Sequence, residues 1–492
     1  MRNIKIVFII ICILSIIIPL IFTDYKGGKS NNLDNRVMAK GPVSFFKDGS
    51  ELDITKWIND NIGFRTTMLG LKGYIEYNIL HKSPTSKVML GKDGFMFYTW
   101  DNNIKIAQNQ YPLSDIDLRK SIKNLMLTND ILAKDNKTFV FAIAPSKADI
   151  YSEYLYVKTA EEIISPIDIF DKELKNKVNF INLKQALYKE KEKNAEMLLY
   201  YKTDTHWNQY GAYIGYKKIL DEFNTIGIFD NKSEPYMQIK LVQDKRTGEF
   251  AKMMGAQYIL KPEETFNTEI LNSTIMGNNI PKLLVDYKQK YNPFAVYTFK
   301  NNDTNKNKNI IVIGDSMFNS SRHVPELLAN HFKNYYQIWQ QKFDNKTIMD
   351  IDVDIVLLEI AERYSKNIGN ILTDFVKQNY KPKAVISSDD IPKVMENGKT
   401  YSFHITIENK GEYNLGYDYM TMAGVLHDYK AYKSIDQGVR FNLPENTVIK
   451  PGEKYVLKVD NFTPNFKGKY FVIKAGEIGI NWISNEIKVT LK

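Results

Sequence analysis

The chain has six histidines, His81, His206, His323, His331, His404 and His427, and one of them stands in a setting that suits chemistry. His206 lies in Thr203-Asp204-Thr205-His206-Trp207-Asn208, just before a predicted helix. On an extended segment, side chains two residues apart point the same way, so Asp204 and His206 are expected to share a face. A carboxylate beside an imidazole fixes its tautomer and stabilises the imidazolium, which a general base requires. Asp-x-His is also an ordinary structural contact, so the pattern alone leaves both readings open. The second feature is Ile310-Ile311-Val312-Ile313-Gly314-Asp315-Ser316. The Ile/Val run reads as a buried strand ending in a turn, with a helix expected after Asn319. Ligands of open α/β sheets bind at the carboxyl ends of the strands, which places Ser316 at the reactive edge. Its amide, near a helix start, is then able to donate to a developing oxyanion. Gly-Asp-Ser alone is equally a plain turn. Together, Ser316, His206 and Asp204 supply the nucleophile, base and orienting carboxylate of acyl transfer. That chemistry needs no cofactor and no metal.

The other histidines read as surface or structural residues. No His-x-x-x-His or related ligand spacing is present, so a histidine-rich metal site is not expected. The single cysteine, Cys12, lies in an apolar N-terminal stretch. A disulfide framework, a cysteine-based zinc site and a thiol nucleophile are thereby excluded.

The elements that must position these residues follow from hydropathy. Apolar positions recur at helical spacing from Asp53 to Leu80, with Gly63 as an interruption. Ser114 is placed to cap a helix through Leu118, Ile122, Leu125 and Ile131. Thr138–Ala144 is a continuous apolar strand stopped by Pro145, and 178–183, 309–313 and 354–360 read as further strands. Continuous apolar strands are buried on both faces, as in parallel sheets. Asn208 is placed to cap a helix running to Phe223. The expected fold is α/β, a three-layer domain with a mainly parallel sheet over residues 46–387, with a less regular insertion over about 225–305. From residue 388 the period changes to two, as in Tyr401, Phe403, Ile405 and Ile407, with turns at Asn397-Gly398 and Pro451-Gly452. Residues 388–492 read as a β-sandwich, immunoglobulin-like or carbohydrate-binding-like. Tyr413, Tyr417 and Trp482 are its candidates for stacking on sugars.

At 43% hydrophobic and 25% charged residues, the composition excludes bulk disorder and a multi-span channel. The net charge of +9 is spread over scattered lysines, and no nucleic-acid-binding motif accompanies it, so no nucleic-acid partner is expected. Arg2 and Lys5 precede an uncharged run of 17 residues, Ile6–Phe22, and Asp24 follows it. Residues 1–23 read as a signal anchor, a single-pass helix with the catalytic part outside the cell membrane; a cleaved signal peptide with a secreted product is the alternative. Residues 24–45, rich in Gly, Asn and Lys, read as a linker.

Gly314-Asp315-Ser316 resembles the serine block of SGNH hydrolases. Asp204-Thr205-His206-Trp207 resembles the Asp-x-His-Trp motif of the alginate O-acetyltransferase (AlgJ/AlgX-like) branch. In ordinary SGNH enzymes the Asp/His block follows the serine; here it precedes it by about 110 residues, the permuted order of that branch. Further segments match in the expected order: Gly91-Lys92-Asp93-Gly94-Phe95, Pro145-Ser146-Lys147, Gly248-Glu249-Phe250 and Glu359-Ile360-Ala361-Glu362-Arg363-Tyr364. The resemblance spans roughly residues 45–370. It implies an SGNH-hydrolase-like fold and transfer of an acetyl group, by way of an acyl-serine, onto hydroxyls of an exopolysaccharide, as in biofilm matrices. It also implies a membrane-bound O-acyltransferase (MBOAT-type) partner that delivers the acyl group. Ser316, His206 and Asp204 are the implied catalytic residues. The Gly and Asn blocks of SGNH enzymes have no counterpart, which leaves Asn319, Arg322, Arg363, Tyr364 and Lys147 as candidates for substrate or oxyanion contacts. For Arg363 a salt bridge with Glu359 or Glu362 is the plain alternative. A carbohydrate acetylesterase using the same triad, and a non-catalytic component of an exopolysaccharide assembly, are the competing functions. No carboxylate pair stands out for glycoside hydrolysis.

Overall fold

A computed structural model of the chain describes residues 2–28, 30–31, 36–49, 51–229, 233–256, 260–339, 342–426, 439–478 and 481–492. His427 lies outside the described residues.

Five strands run parallel in the spatial order Asn179–Asn182, Thr138–Ala144, Ile355–Ala361, Asn309–Gly314, Asn334–Trp339. The strand that leads to Ser316 is thus flanked on both sides. Successive residues of a strand face opposite sides of its sheet. Ile310 and Val312 therefore join one core with Val140, Ala142, Ile355 and Leu357. Ile311 and Ile313 join the other with Phe139, Phe141, Val356 and Leu358. Helices Gln209–Thr225 and Val324–Ala329 cover the first face. Helices Asp115–Lys134, Pro166–Leu174 and Ile368–Asn379 cover the second. This is the three-layer α/β arrangement that the apolar runs require. The Ser114 side chain accepts from the Asp117 amide, which starts the first of those helices.

Three expectations change. The segment over 225–305 is only partly an insertion: Ala295–Asn301 and Ile275–Gly277 extend the central sheet as antiparallel strands. Only Ile275–Gly277 is at the edge, and both strands are partly exposed and carry polar residues, so no continuous apolar run marks them. The hairpin Ile239–Arg246/Glu263–Ile270 does stand outside the sheet. The helix expected after Asn319 starts only at Val324. Two 3₁₀ turns, Ser316–Phe318 and Ser320–Arg322, precede the short helix Val324–Ala329. The Asp315 and Asn319 side chains each accept from the amide two residues on, so each closes its own turn and competes with a longer helix. The described parts of the expected linker, residues 24–28 and 36–45, are tied to the residues that follow. Trp57 Nε1 donates to the Asp24 carbonyl at 3.0 Å, the Ala39 amide donates to Asp60 at 2.9 Å, and Pro42–Asp48 is helical.

Arg2–Ile21 forms a helix whose apolar side chains from Ile6 onward are exposed. Among the described residues no helix is long and apolar enough to cross a membrane.

The C-terminal part is a pair of packed sheets. One has the order Ala384–Ser387, Tyr401–Asn409, Lys454–Phe462. The other has the order Val394–Met395, Asn481–Leu491, Tyr470–Glu477, Thr421–Leu426, Val439–Asn442. Phe403, Ile405, Leu457, Phe471, Ile473 and Val489 fill the space between them. The sandwich starts at Ala384, because Ala384–Ser387 already pairs with Tyr401–Asn409.

The three aromatic candidates of the sandwich are committed to packing. The Lys134 ammonium sits 3.8 Å over the Tyr413 ring, and the Arg119 guanidinium 4.5 Å over Tyr417. Trp482 lies so close over Gly424 that a Cβ there would meet its ring at 2.7 Å. Tyr413 and Tyr417 belong instead to the junction with helix Asp115–Lys134. The centre of that junction is a buried ion pair, Lys123 with Glu477 at 3.0 Å, the side chains 3% and 0% exposed. Glu477 also accepts from Tyr380 Oη at 2.7 Å and Thr421 Oγ1 at 3.1 Å, and Lys123 also donates to the Ile478 carbonyl. Removing one partner strands a charge without solvent. Lys123→Ala is therefore expected to lower stability by roughly 3–5 kcal/mol in denaturant titration. A loss under about 1 kcal/mol, the size of an exposed pair, would show that the junction does not depend on this contact.

Candidate active site

The loop carrying His206 is closed at its base by a bridge between Tyr200 and Trp207 and by the Asn208 amide donating to the Leu199 carbonyl. The Asn208 side chain then accepts from the Gly211 amide at 2.8 Å and starts helix Gln209–Thr225. Between these points the chain is bent rather than extended. Asp204 and His206 meet because the His206 amide donates back to Asp204 Oδ1 at 3.2 Å, an Asx-type turn. His206 Nδ1 lies 2.7 Å from the same oxygen. On its other side, His206 Nε2 lies 2.8 Å from Ser316 Oγ. The structure thus brings the three predicted residues into one hydrogen-bonded line across 110 residues of sequence.

Two tethers hold that line. Trp207 Nε1 donates to the Met317 carbonyl at 2.9 Å and joins the histidine loop to the serine turn. Under the turn, Asp315 Oδ2 accepts from the Ala361 amide at 2.7 Å, and the Asp315 amide donates to Glu359 at 3.1 Å. Glu359 is fully buried, and burial together with the nearby Asp315 charge pushes its carboxyl well above the usual range.

Asp204 is 1% exposed. Its second oxygen accepts from Arg246 Nη2 at 2.9 Å and from the Glu249 amide at 3.4 Å, and Arg322 Nη2 lies 3.9 Å from the first. Burial alone would raise this carboxyl. His206, Arg322 and Arg246 outweigh it and hold Asp204 well below the ordinary carboxylate range. Burial also pushes the His206 imidazole down, to about 4, and Arg322 adds to the fall against the pull of Asp204. With Nδ1–H donating to the carboxylate, Nε2 is left as the acceptor facing the serine hydroxyl.

The remaining candidates divide. The Arg363 guanidinium lies 3.5 Å from Ser316 Oγ and 4.8 Å over the Tyr364 ring. Arg363 makes no ion pair with Glu359 or Glu362 among the described residues; the Glu362 carboxylate accepts from the Ser146 amide instead. Arg322 supports Asp204. The buried Nε atoms of Arg322 and Arg363 have no acceptor among the described residues. Asn319 serves its own turn. Lys147 points away from the serine: its ammonium donates to the carbonyls of Tyr201, Lys202 and Asp204, at 3.1, 3.1 and 2.6 Å. It buttresses the histidine loop, although burial pushes the amine down to about 7.

Arg246, Glu249 and Glu263 carried no distinctive local signal for this role. Glu263 accepts from the amides of Lys202 and Thr203. Glu249 Oε1 lies 3.7 Å from His206 Nδ1, and burial beside Asp204 pushes its carboxyl up. Gly248 was noticed only through its motif. Its backbone packs so tightly on the Thr203 carbonyl that a Cβ would come within 2.1 Å. Ligand atoms of Asp204, His206 and Glu249 lie within 4.8 Å of one another, which is where a cation would have to enter. Arg246 and Arg322 already occupy the charge of that carboxylate.

Residues 88–287 match the family model of the SGNH hydrolase-like domain of the acetyltransferase AlgX. This part of the chain is accordingly an SGNH hydrolase-like domain. The match includes Asp204 and His206 and ends before Ser316, which joins them by geometry. No curated protein matches the chain by sequence. Among solved structures, the O-acetyltransferase domain of Pseudomonas putida AlgJ is similar at 15% identity and a TM-score of 0.39, covering 57% of this chain and 98% of that one. Bacillus cereus PatB1 is similar at 18% identity and a TM-score of 0.39, covering 56% and 96%. Pseudomonas aeruginosa AlgX is similar at 12% identity and a TM-score of 0.38, covering 82% and 90%.

A base that titrates near 4 stays unprotonated over the whole neutral range. Protonation below that pH removes the acceptor, so nucleophile reactivity is lost as pH falls and does not change above. The rate of Ser316 labelling by phenylmethylsulfonyl fluoride should rise through about pH 4 and be flat from roughly 5.5 to 8. A midpoint at the ordinary imidazole value, about 6.5, would contradict the burial of His206 described above.

Proposed function

We propose that the protein is an O-acetyltransferase that moves an acetyl group through acyl-Ser316 onto hydroxyls of an extracellular polysaccharide. The observation that carries this reading is the line from buried Asp204 through His206 to Ser316, at 2.7 and 2.8 Å, the first two residues lying in the segment 88–287 that matches the AlgX acetyltransferase model.

In this reading Ser316 Oγ attacks the acetyl carbonyl of the donor while His206 Nε2 takes its proton. The tetrahedral oxyanion faces Arg363, whose guanidinium is already 3.5 Å from Oγ. Collapse breaks the bond to the donor, and the leaving group takes the proton from His206. A sugar hydroxyl then gives its proton to His206 and attacks the acyl-serine. The second collapse releases Ser316, which recovers that proton. Asp204 remains ionised throughout and stabilises the imidazolium. Arg246 and Arg322 keep it so.

The donor is proposed to come from a membrane-bound O-acyltransferase (MBOAT-type) partner, with the catalytic domain outside the cell and the N-terminal helix as its anchor. Support for the anchor is the charge pattern, Arg2 and Lys5 before an uncharged 17-residue run, and the exposure of its apolar side chains.

The test is incubation of the full chain with p-nitrophenyl acetate, with and without oligosaccharide acceptors. Acetylated sugar detected by mass spectrometry is the expected product. Ser316→Ala should abolish it, and Asp204→Asn should lower kcat by on the order of 10⁴. Acetate release that no acceptor alters would identify an acetylesterase. Activity that survives Ser316→Ala would overturn the mechanism.

A further inference from the structure

The guanidinium beside Ser316 Oγ also lines a cavity of about 360 Å³. Its walls come from two segments, residues 99–105 and 363–367. We propose that this cavity is the acceptor subsite, which takes one ring of the glycan chain next to the acylated serine, with Trp100 as the platform on which a neighbouring ring stacks. The inference rests on the reading of Ser316 as the acyl carrier, and it assigns the place from which the accepting hydroxyl arrives.

Four observations carry it. The first is position: Arg363, whose guanidinium lies 3.5 Å from Ser316 Oγ and over the Tyr364 ring, belongs with Tyr364 to the cavity wall. A ring held there shares Arg363 with the serine.

The second is the chemistry of the wall. Asp101 only accepts hydrogen bonds, Lys105 and Lys366 only donate, and Asn102 and Asn367 do both. A sugar hydroxyl donates and accepts at once, so a mixed set around a cavity at the small end of ligand-sized pockets suits a hydroxylated ring. An acetyl methyl has no use for such a wall. A protein partner would need an interface of about 800 Å² a side rather than a cleft.

The third is Trp100, which sits between the lining residues Thr99 and Asp101. Its side chain is half exposed, at 50%, and the Lys87 ammonium lies 4.5 Å from the ring centroid. A half-exposed indole adjoining two lining residues in the chain offers an apolar face with a polar edge, the combination that aromatic residues bring to wet binding sites.

The fourth is backbone shape. Asp101 and Asn102 are consecutive left-handed residues, with φ of 56° and 59°. Two such residues in a row persist only where their surroundings hold them. The Thr99 amide donates to the Lys87 carbonyl at 3.0 Å, and the Asn103 amide to the Trp100 carbonyl at 3.2 Å. The loop is therefore formed before any ligand arrives.

The test separates binding from turnover. The full chain carrying Ser316→Ala is titrated with three probes: cellohexaose, N-acetylchitohexaose and a mannuronate hexamer. Binding is read by saturation-transfer NMR and calorimetry. At least one probe is expected to bind. Adding Trp100→Ala or Lys366→Ala should weaken that probe at least tenfold, and Trp100→Phe should restore most of the affinity, which separates a lost platform from a lost fold. No binding of any probe at millimolar concentration would overturn the proposal, as would affinity unchanged by Trp100→Ala. A chain that binds sugar here yet never forms acetylated product would keep this subsite and remove the acyl-transfer reading. A chain that acetylates the probes with an unchanged acceptor KM in Trp100→Ala would do the reverse.

Discussion

A carboxylate taken out of water must find opposite charge or hydrogen-bond donors, or it neutralises. Asp204 is in that position, and much of the local architecture answers it. Its two oxygens receive His206, Arg246 and the Glu249 amide, with Arg322 close by. These partners come from the histidine loop, the strand pair Ile239–Arg246/Glu263–Ile270, the short helix Glu249–Met253 between its strands, and the turns after Ser316. The hairpin outside the main sheet is therefore part of the centre, since it delivers the arginine that keeps the carboxylate charged. An ionised Asp204 in turn fixes which nitrogen of His206 carries the proton.

The same region shows how a bent loop is made rigid without regular structure. Its carbonyls are collected by the Lys147 ammonium and its amides by the Glu263 carboxylate. Gly248 fills the space against Thr203 with backbone alone. Trp207 packs its indole beside Phe318 and ties its N–H to Met317. The histidine and serine segments are thus one packed unit, although each is a turn.

Local patterns announced what local forces decide. The Ile/Val runs at 309–313 and 354–360 had to be doubly buried strands, and Ser114 and Asn208 are caps because their side chains reach amides three residues on. The Asp-x-His and Gly-Asp-Ser pairs were visible for the same reason. Contacts that depend on distant chain were not. Arg246 meets Asp204 across 42 residues and sits on a strand of mixed polarity, where an arginine reads as solvated surface. Lys147 was noticed for its motif, yet only the fold shows that carbonyls absorb it. Tyr413 and Tyr417 looked free because the helix they cover lies almost 300 residues earlier, as the Arg119–Tyr417 contact shows. The two strands beyond Asn334–Trp339 escaped because they are partly exposed and need no continuous apolar run.

The separation of His206 from Ser316 in the chain has a bearing on how such a protein is handled before it is folded. No short segment contains both the base and the nucleophile. Until the parallel strands around Asn309–Gly314 have assembled and Trp207 has reached Met317, Ser316 is an ordinary hydroxyl with no proton acceptor beside it. In the proposed mechanism, a chain cut anywhere between the two leaves Ser316 without its base. Reactivity is a property of the finished tertiary structure, switched on once and at the end of folding.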